Sequence, residues 1–233
     1  ERVKYDPATE TIPEAITQAE EKPDARLRVA VAEGVTSWQV VEGLKRADFR
    51  SGEVSGVPAE GVLAPDSYEV SKGADRAALL KEMETRQAAI LAAAWEARPF
   101  GLPYQTPEEA LIMASIVEKE TGIPDERAAV ASVFVNRLEQ GMRLETDPTV
   151  IYGLGGKFDG NLRKRDLQTD TPWNTYTRSG LPPTPIAMPG KAALLAAVQP
   201  EPTKALYFVA KGDGTSHFSA SLGEHNRAVN RYQ

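Results

Sequence analysis

The chain has 233 residues, 41% hydrophobic and 26% charged, which allows one large domain with a smaller accessory piece and excludes a disordered, collagenous or coiled-coil chain. With 27 Lys plus Arg against 33 Asp plus Glu the net charge is −6, which gives no general grip on a phosphate backbone, so nucleic acid is not an expected partner. The absence of cysteine removes thiol catalysis, thiolate metal sites and disulfides.

A Tyr5-Asp6-Pro7 turn followed by a polar stretch predicts a short helix over Ile12–Glu21. It has neither a basic nor an apolar leader before it, and no window approaches 18 uninterrupted apolar residues, so the chain as given is expected to be soluble. A start at Glu1 without Met fits a processed or trimmed piece, so a missing anchor does not speak against a membrane-tethered parent. The alternation of Leu27, Val29 and Val31 predicts a half-buried strand over Leu27–Ala32. Glu33-Gly34 turns it into a helix over Ser37–Ala47, capped by Thr36 or Ser37. Gly, Ser and Pro crowd the stretch from Arg50 to Gly61, which we read as a boundary between an accessory part, 1–57, and a main domain, 58–233. A long Ala-rich helix follows over Arg76–Glu96.

Thr106, with Pro107 at the first helical position and Glu109 three residues after the cap, opens a helix that Gly122 stops. On a wheel of 100° steps with Ile112 at zero, Ile116, Met113, Val117 and Ala110 span an apolar arc centred near about 80°. Glu120 falls at about 80°, while Glu118 (about 240°) and Lys119 (about 340°) lie outside the centre of that arc. A carboxyl on the apolar side, in the last turn, is pushed toward its neutral form by desolvation and by the negative end of the helix dipole. This is how the general acid of a glycosidase is made. A second reading is open: Glu120 can equally be a structural carboxylate paired with a buried cation, for which Arg137 is placed among the apolar residues of the next helix, Pro124–Gln140.

The rest of the chain reads as a strand at Thr149–Tyr152, a proline-rich loop over Pro172–Pro189 and a helix at Lys191–Val198. A hairpin then joins Ala205–Ala210 to His217–Ala220 around Gly212-Asp213-Gly214, and a final helix starts near Leu222 with Ser221 and Glu224 as its capping box. Gly153–Lys157 lacks Walker spacing and reads as a turn. A glycosidase of the two-acid kind needs a further carboxylate. Asp147, Asp166 and Asp170 are candidates, although Asp147, lying just before Pro148, also fits a turn-forming residue. His217 and His225 show no zinc pattern, and there is no nucleophile elbow, so neither metal nor cofactor is expected. Trp173-Asn174-Thr175-Tyr176, with Tyr152, combines ring faces with amide and hydroxyl groups. Such a set suits a sugar cleft, or a loop folded over the core by its aromatics.

Several of these stretches resemble, in order, the motifs of one family. Glu60-Gly61-Val62-Leu63-Ala64-Pro65-Asp66-Ser67-Tyr68 is similar to its E-G-x-L-x-P-D-[ST]-Y segment, with Ala64 where an aromatic is usual. Ala114-Ser115-Ile116-Val117-Glu118-Lys119-Glu120-Thr121 is similar to its A-S-I-[IV]-E-K-E-T helix. Val133–Leu138 leading to Gly141–Gly153, then Asn174-Thr175-Tyr176, Gly180-Leu181-Pro182-Pro183, Leu206–Ala210 and His225-Asn226 complete the set, with Thr184 replacing a usual glycine.

The family is that of the YceG-type endolytic murein transglycosylases. The resemblance implies an α+β fold, with a lysozyme-like helix carrying the acid, small antiparallel sheet elements and a partial LysM-like subdomain before them. It places the parent in the bacterial inner membrane by an N-terminal helix absent from this chain, with the catalytic domain in the periplasm. Its implied substrate is peptidoglycan and its implied partners are peptidoglycan synthases, the penicillin-binding proteins. It carries the catalytic acid over to Glu120, and Asp147, Tyr152, Asn174 and Tyr176 are expected to position sugar or Glu120. It also explains the missing second acid, because the C6 hydroxyl of the MurNAc ring is then the nucleophile. A water-using muramidase with Glu120 and Asp147, and a non-catalytic wall-binding module, are the rival readings.

Overall fold

The computed structural model describes residues 27–47, 50–71 and 73–233, and the helix expected over Ile12–Glu21 lies outside them. Strand β1 (Leu27–Ala30) pairs antiparallel with β3 (Ser67–Val70), and the facing pair Val29 and Tyr68 is fully buried. Val31 extends the pairing by one bond, its N–H donating to Asp66 O. Helix α1 (Ser37–Arg46) is opened by Thr36, whose Oγ1 accepts from the Gln39 N–H while the Gln39 side chain accepts from the Thr36 N–H. Val40, Val41 and Leu44 of α1 join Val29, Leu63, Tyr68, Leu79 and Met83 in the smaller of two cores. That core draws on residues from both sides of the Arg50–Gly61 stretch. The short parallel pair β2 (Arg50–Ser51) and β4 (Ala74–Asp75) lies beside it.

Helix α2 (Arg76–Glu96) joins the two cores. Its first half gives Leu79, Leu80 and Met83 to the smaller one, and its second half lays Ala94 against the larger. At the centre of the larger core stands α3 (Pro107–Glu120). Thr106 Oγ1 accepts from the Glu109 N–H as its sequence requires, but the Glu109 carboxylate reaches back to the Gln105 N–H, one residue beyond the expected partner. Every residue from Ala110 to Val117 is buried, because α2, α4 (Arg127–Glu139), α5 (Asp147–Leu154) and α7 (Lys191–Val198) all pack on this helix. The apolar arc is therefore a full circumference. Met113, Ile116 and Val117, all fully shielded, each contribute roughly 1.5–3 kcal/mol of burial.

A 3-10 turn, Pro124–Glu126, precedes α4, so the helix expected from Pro124 becomes regular only at Arg127. The strand expected at Thr149–Tyr152 is not formed, since those residues lie within α5. The β-branched run Thr149-Val150-Ile151 favours a strand locally. Pro148 pre-sets a helical φ in the first turn, Asp147 complements the positive end of the dipole, and Thr149 Oγ1 donates to Thr146 O at 2.7 Å. Adjacent Thr149 and Val150 are both buried, which a strand with one solvated face cannot achieve.

Gly155–Lys157 forms a 3-10 turn, α6 (Lys164–Gln168) follows, and residues 169–190 run without helix or strand. The hairpin is present as β5 (Tyr207–Ala210) and β6 (Ser216–Ser219), and α8 (Leu222–Tyr232) carries the Ser221–Glu224 capping box. The architecture is α+β, mainly helical with small two-stranded sheets.

Candidate active site

The last turn of α3 sends three consecutive charges in three directions. Glu118, its side chain 5% exposed, receives the Arg127 guanidinium at 3.3 Å and the Gly190 N–H at 3.0 Å. Lys119 Nζ donates to Gly34 O at 3.2 Å, in the turn between β1 and α1. Glu120 is half-buried and faces a cleft of about 770 Å³. The first two contacts bolt the helix end to the rest of the molecule. The third side chain is left for chemistry.

The cleft runs between the end of α3 and a wall made by β5 and α8. Its lining includes Glu120, Arg137, Glu145, Asp147 and Tyr176 on one side and Tyr207, Phe208, His225 and Asn226 on the other. Loss of water around Glu120 pushes its pKa up to about 7, from an ordinary 4.5. The Thr146 hydroxyl, donating to Glu120 Oε1, pulls the other way; the negative charge of Asp147 raises the value further, and Arg137 lowers it slightly. A carboxyl that holds a proton about half the time at neutral pH can give one to a leaving oxygen and take one back.

Arg137 is not the partner of Glu120. Its Nε donates to Leu206 O at 2.7 Å and its Nη1 to Arg143 O and Leu144 O at 3.1 and 3.0 Å, with Glu145 Oε2 at 3.4 Å. The buried guanidinium thus pins the 143–145 loop to the start of β5 and lies 5.1 Å from the Tyr207 ring centre. The ion pair considered for Glu120 is made instead by its neighbour Glu118 with Arg127. The α3 wheel placed Glu118 outside the apolar arc, but the Glu33–Gly34 turn and Gly190 cover that side.

Of the residues expected around Glu120, two line the cleft with it. Asp147 begins α5 and accepts from Tyr176 Oη at 2.7 Å; burial first, and then this bond and the Asp147 charge, drive the Tyr176 phenol upward and keep it neutral. Asn174 does not face the cleft. It is fully buried, its amide donates to Leu167 O and Thr169 O at 3.1 and 2.7 Å, and its Oδ1 accepts from the Tyr176 N–H at 2.8 Å, so it shapes the loop that delivers Tyr176. Tyr152 is also elsewhere. Its hydroxyl donates to Glu60 Oε2 at 3.1 Å, and its ring meets Trp173 edge-on at 5.5 Å. Glu60, raised by burial, also accepts from the Ser37 N–H at 2.8 Å at the start of α1, so Tyr152 links α5 to the smaller core's helix. Asp166 and Asp170 lie outside the cleft lining; Asp166 accepts from the Arg163 N–H in α6, and Asp170 is ion-paired with Arg178.

Residues that sequence reasoning passed over complete the site. Thr146 is 2% exposed and its hydroxyl is aimed at Glu120, yet a threonine before Asp-Pro has no chemical signature of its own. His225 stacks on Tyr207 with ring centres 5.2 Å apart, and desolvation, helped by Arg137, lowers its pKa. The order His-Asn within a capped helix was the available signal. Among the described residues no three His, Asp or Glu side chains converge as a metal site.

The chain is 47% identical over 122 residues to the endolytic murein transglycosylase of Bacillus subtilis (strain 168), covering 52% of this chain and 34% of that protein. It is 29% identical over 176 residues to the protein of the same name from Streptococcus pneumoniae serotype 2, covering 73% of this chain and 31% of the relative. It therefore matches about a third of the length of these curated relatives. The crystal structure of a yceG-like protein from Listeria monocytogenes superposes with a TM-score of 0.70 at 30% identity, covering 86% of this chain and 75% of that one. Residues 4–231 match the YceG-like family as a whole, and this chain belongs to that family.

Proposed function

We propose that the chain is the catalytic part of an endolytic murein transglycosylase, with Glu120 as its acid and base. One observation carries the reading: a carboxyl that desolvation brings to about pH 7, without an ion-pair partner among the described residues, opens onto a cleft large enough for sugar rings. Glu120 protonates the glycosidic oxygen between MurNAc and GlcNAc. As carboxylate it then takes the proton of the C6 hydroxyl of the same MurNAc, whose oxygen closes on C1 as the 1,6-anhydro ring. The proton given in the first half is recovered in the second, and no water is consumed. Cutting strands internally would limit their length during wall synthesis.

Around this centre, Asp147 and Tyr176 act as a hydrogen-bonded pair that contacts sugar, while Asn174 and Tyr152 act indirectly through the loop and the α1 side. The acid-bearing α3 plays the part that an equivalent helix plays in lysozyme-like folds. The N-terminal part, to about residue 57, belongs with a LysM-like subdomain. A parent anchored in the inner membrane with this part in the periplasm, near penicillin-binding proteins, completes the reading. None of the described helices is long and apolar enough to cross a membrane.

Mass spectrometry of peptidoglycan digested with the protein and with Glu120→Gln tests the chemistry. The expected outcome is anhydroMurNAc ends from the wild type and none from the variant. Reducing-end MurNAc would make it a water-using muramidase, and glycan strands left equally intact by both proteins would make it a binding module.

A further inference from the structure

We infer that Thr146 is a positioning residue for Glu120, its hydroxyl aimed at the carboxyl by a chain of buried threonines whose hydrogen bonds run in one direction only. The inference rests on the acid role proposed for Glu120.

The direction follows from counting protons. A threonine hydroxyl has one proton and two lone pairs. Thr149 Oγ1 spends its proton on Thr146 O at 2.7 Å. The 2.8 Å contact between Thr149 Oγ1 and Thr175 Oγ1 must therefore have Thr175 as donor. A lone pair of Thr175 Oγ1 receives the Thr146 N–H at 3.1 Å. Thr146, Thr149 and Thr175 are 2%, 0% and 2% exposed, so solvent does not compete for these bonds. With its N–H and carbonyl both held, Thr146 has its hydroxyl as its remaining polar group, and that hydroxyl meets Glu120 Oε1. Among the described residues Glu120 is held through Oε1, which leaves Oε2 for the substrate.

The segment that carries Thr146 is held at a cost. Glu145 has φ 52°, the only positive value on a non-glycine residue among the described residues, a conformation costing roughly 1–3 kcal/mol. It is kept there by the Glu145 N–H donating to Thr175 O at 3.2 Å and by Arg137 gripping Arg143 O and Leu144 O. Strained backbone one residue from Thr146, clamped from two sides, is the pattern of a pre-organised site rather than of a solvated loop.

A hydroxyl that donates to a carboxylate favours its charged form. Thr146→Val keeps the side chain's shape and removes that bond. In the substrate-free protein, Glu120 followed by carboxyl carbon NMR with labelled glutamate should then titrate higher by about one pH unit. With peptidoglycan, kcat should fall about a hundredfold with KM little changed, and the basic limb of the kcat/KM profile should move up with the titration. Thr146→Ser should restore both. Thr175→Val, which does not touch Glu120, should move the titration in the same direction by a smaller amount.

A Thr146→Val protein that folds, with a wild-type titration and pH profile, overturns the inference, as does an equal loss in Thr146→Val and Thr146→Ser. Should Thr146→Val fail to fold, an unmoved titration in Thr175→Val overturns it instead. The titration needs no turnover, so a wild type that makes no anhydro product refutes the function while leaving the Thr146 result to stand or fall alone.

Discussion

Glu120→Gln keeps the side chain's volume and an acceptor for Thr146, and removes only the titrating proton. In the folded protein desolvation holds this carboxyl at about 7, whereas in the unfolded chain it returns to 4.5. Between those values the folded state binds more protons than the unfolded one, so stability falls as pH rises. The contribution of Glu120 is intact below the unfolded value and is lost as pH passes the folded one. At 1.36 kcal/mol per pH unit the span from 4.5 to about 7 corresponds to about 3 kcal/mol. Solvent on the open side of the cleft reduces this to an expected figure of about 2 kcal/mol.

The neutral amide carries no such penalty. Urea unfolding should therefore show Glu120→Gln within about 0.5 kcal/mol of wild type near pH 4, and more stable by about 2 kcal/mol near pH 8. An acid engaged in a buried ion pair with Arg137 demands the opposite, a variant destabilised by roughly 3–5 kcal/mol at neutral pH. A variant less stable than wild type at pH 8, or a difference that does not change with pH, refutes the reasoning. The gain in stability would accompany a loss of chain cleavage, as expected where a site keeps a group in an unfavourable environment for use.

Asp147→Asn removes a negative charge that raises Glu120, so the basic limb of the pH–rate profile should move to lower pH while anhydro ends continue to form; loss of cleavage down to the Glu120→Gln level would favour the two-carboxylate hydrolase. Arg127→Met leaves Glu118 buried with only the Gly190 N–H, and urea unfolding should show a loss of about 3–5 kcal/mol, whereas a change under about 1 kcal/mol would mean that solvent reaches Glu118. Gly61→Ala should cost about 2 kcal/mol or more in the same assay. Its φ of 82° strains any L side chain, and the new Cβ would meet the rigid Pro185 ring at 2.7 Å.

The parts of this fold that are written locally were legible. Thr106-Pro107 and Ser221–Glu224 mark helix starts through bonds spanning three residues, and the hairpin announces itself through Gly212-Asp213-Gly214. The wheel put Glu120 on the dry side because a helix period is also local information. What failed depends on partners far along the chain. The β-branched run of α5 is helical because of what covers Thr149 and Val150. The pairing of Arg137 with Glu120, one of two open readings, does not form because the guanidinium goes to carbonyls at 143, 144 and 206, which no composition rule singles out. Asn174 is expected to position sugar or Glu120, and burial commits its amide to the backbone of the loop that delivers Tyr176. Thr146 acquires its role only through residues 120, 149 and 175, so the family motif was the one signal that included it.

The position of the acid along α3 follows from the enclosure of that helix. From Ala110 to Val117 the helix is covered on every side, and a carboxyl there would be neutral but out of reach of any substrate. Beyond Thr121 the backbone leaves the helix, and Gly122 is exposed, so a carboxyl there would keep its ordinary pKa. Only the last turn offers a dry flank and an open flank at once. Within that turn a step of one residue rotates the side chain by about 100°, which is why Glu118 and Lys119 meet protein while Glu120 meets the cleft. The two anchors matter to the third residue. With Glu118 tied to Arg127 and Gly190, and Lys119 bonded to Gly34, these contacts oppose a swing of Glu120 toward bulk water, where desolvation would no longer hold its proton. Raising the pKa of an acid by burial works only if the backbone that carries it stays put, and here the sequence places that restraint in the two residues immediately before it.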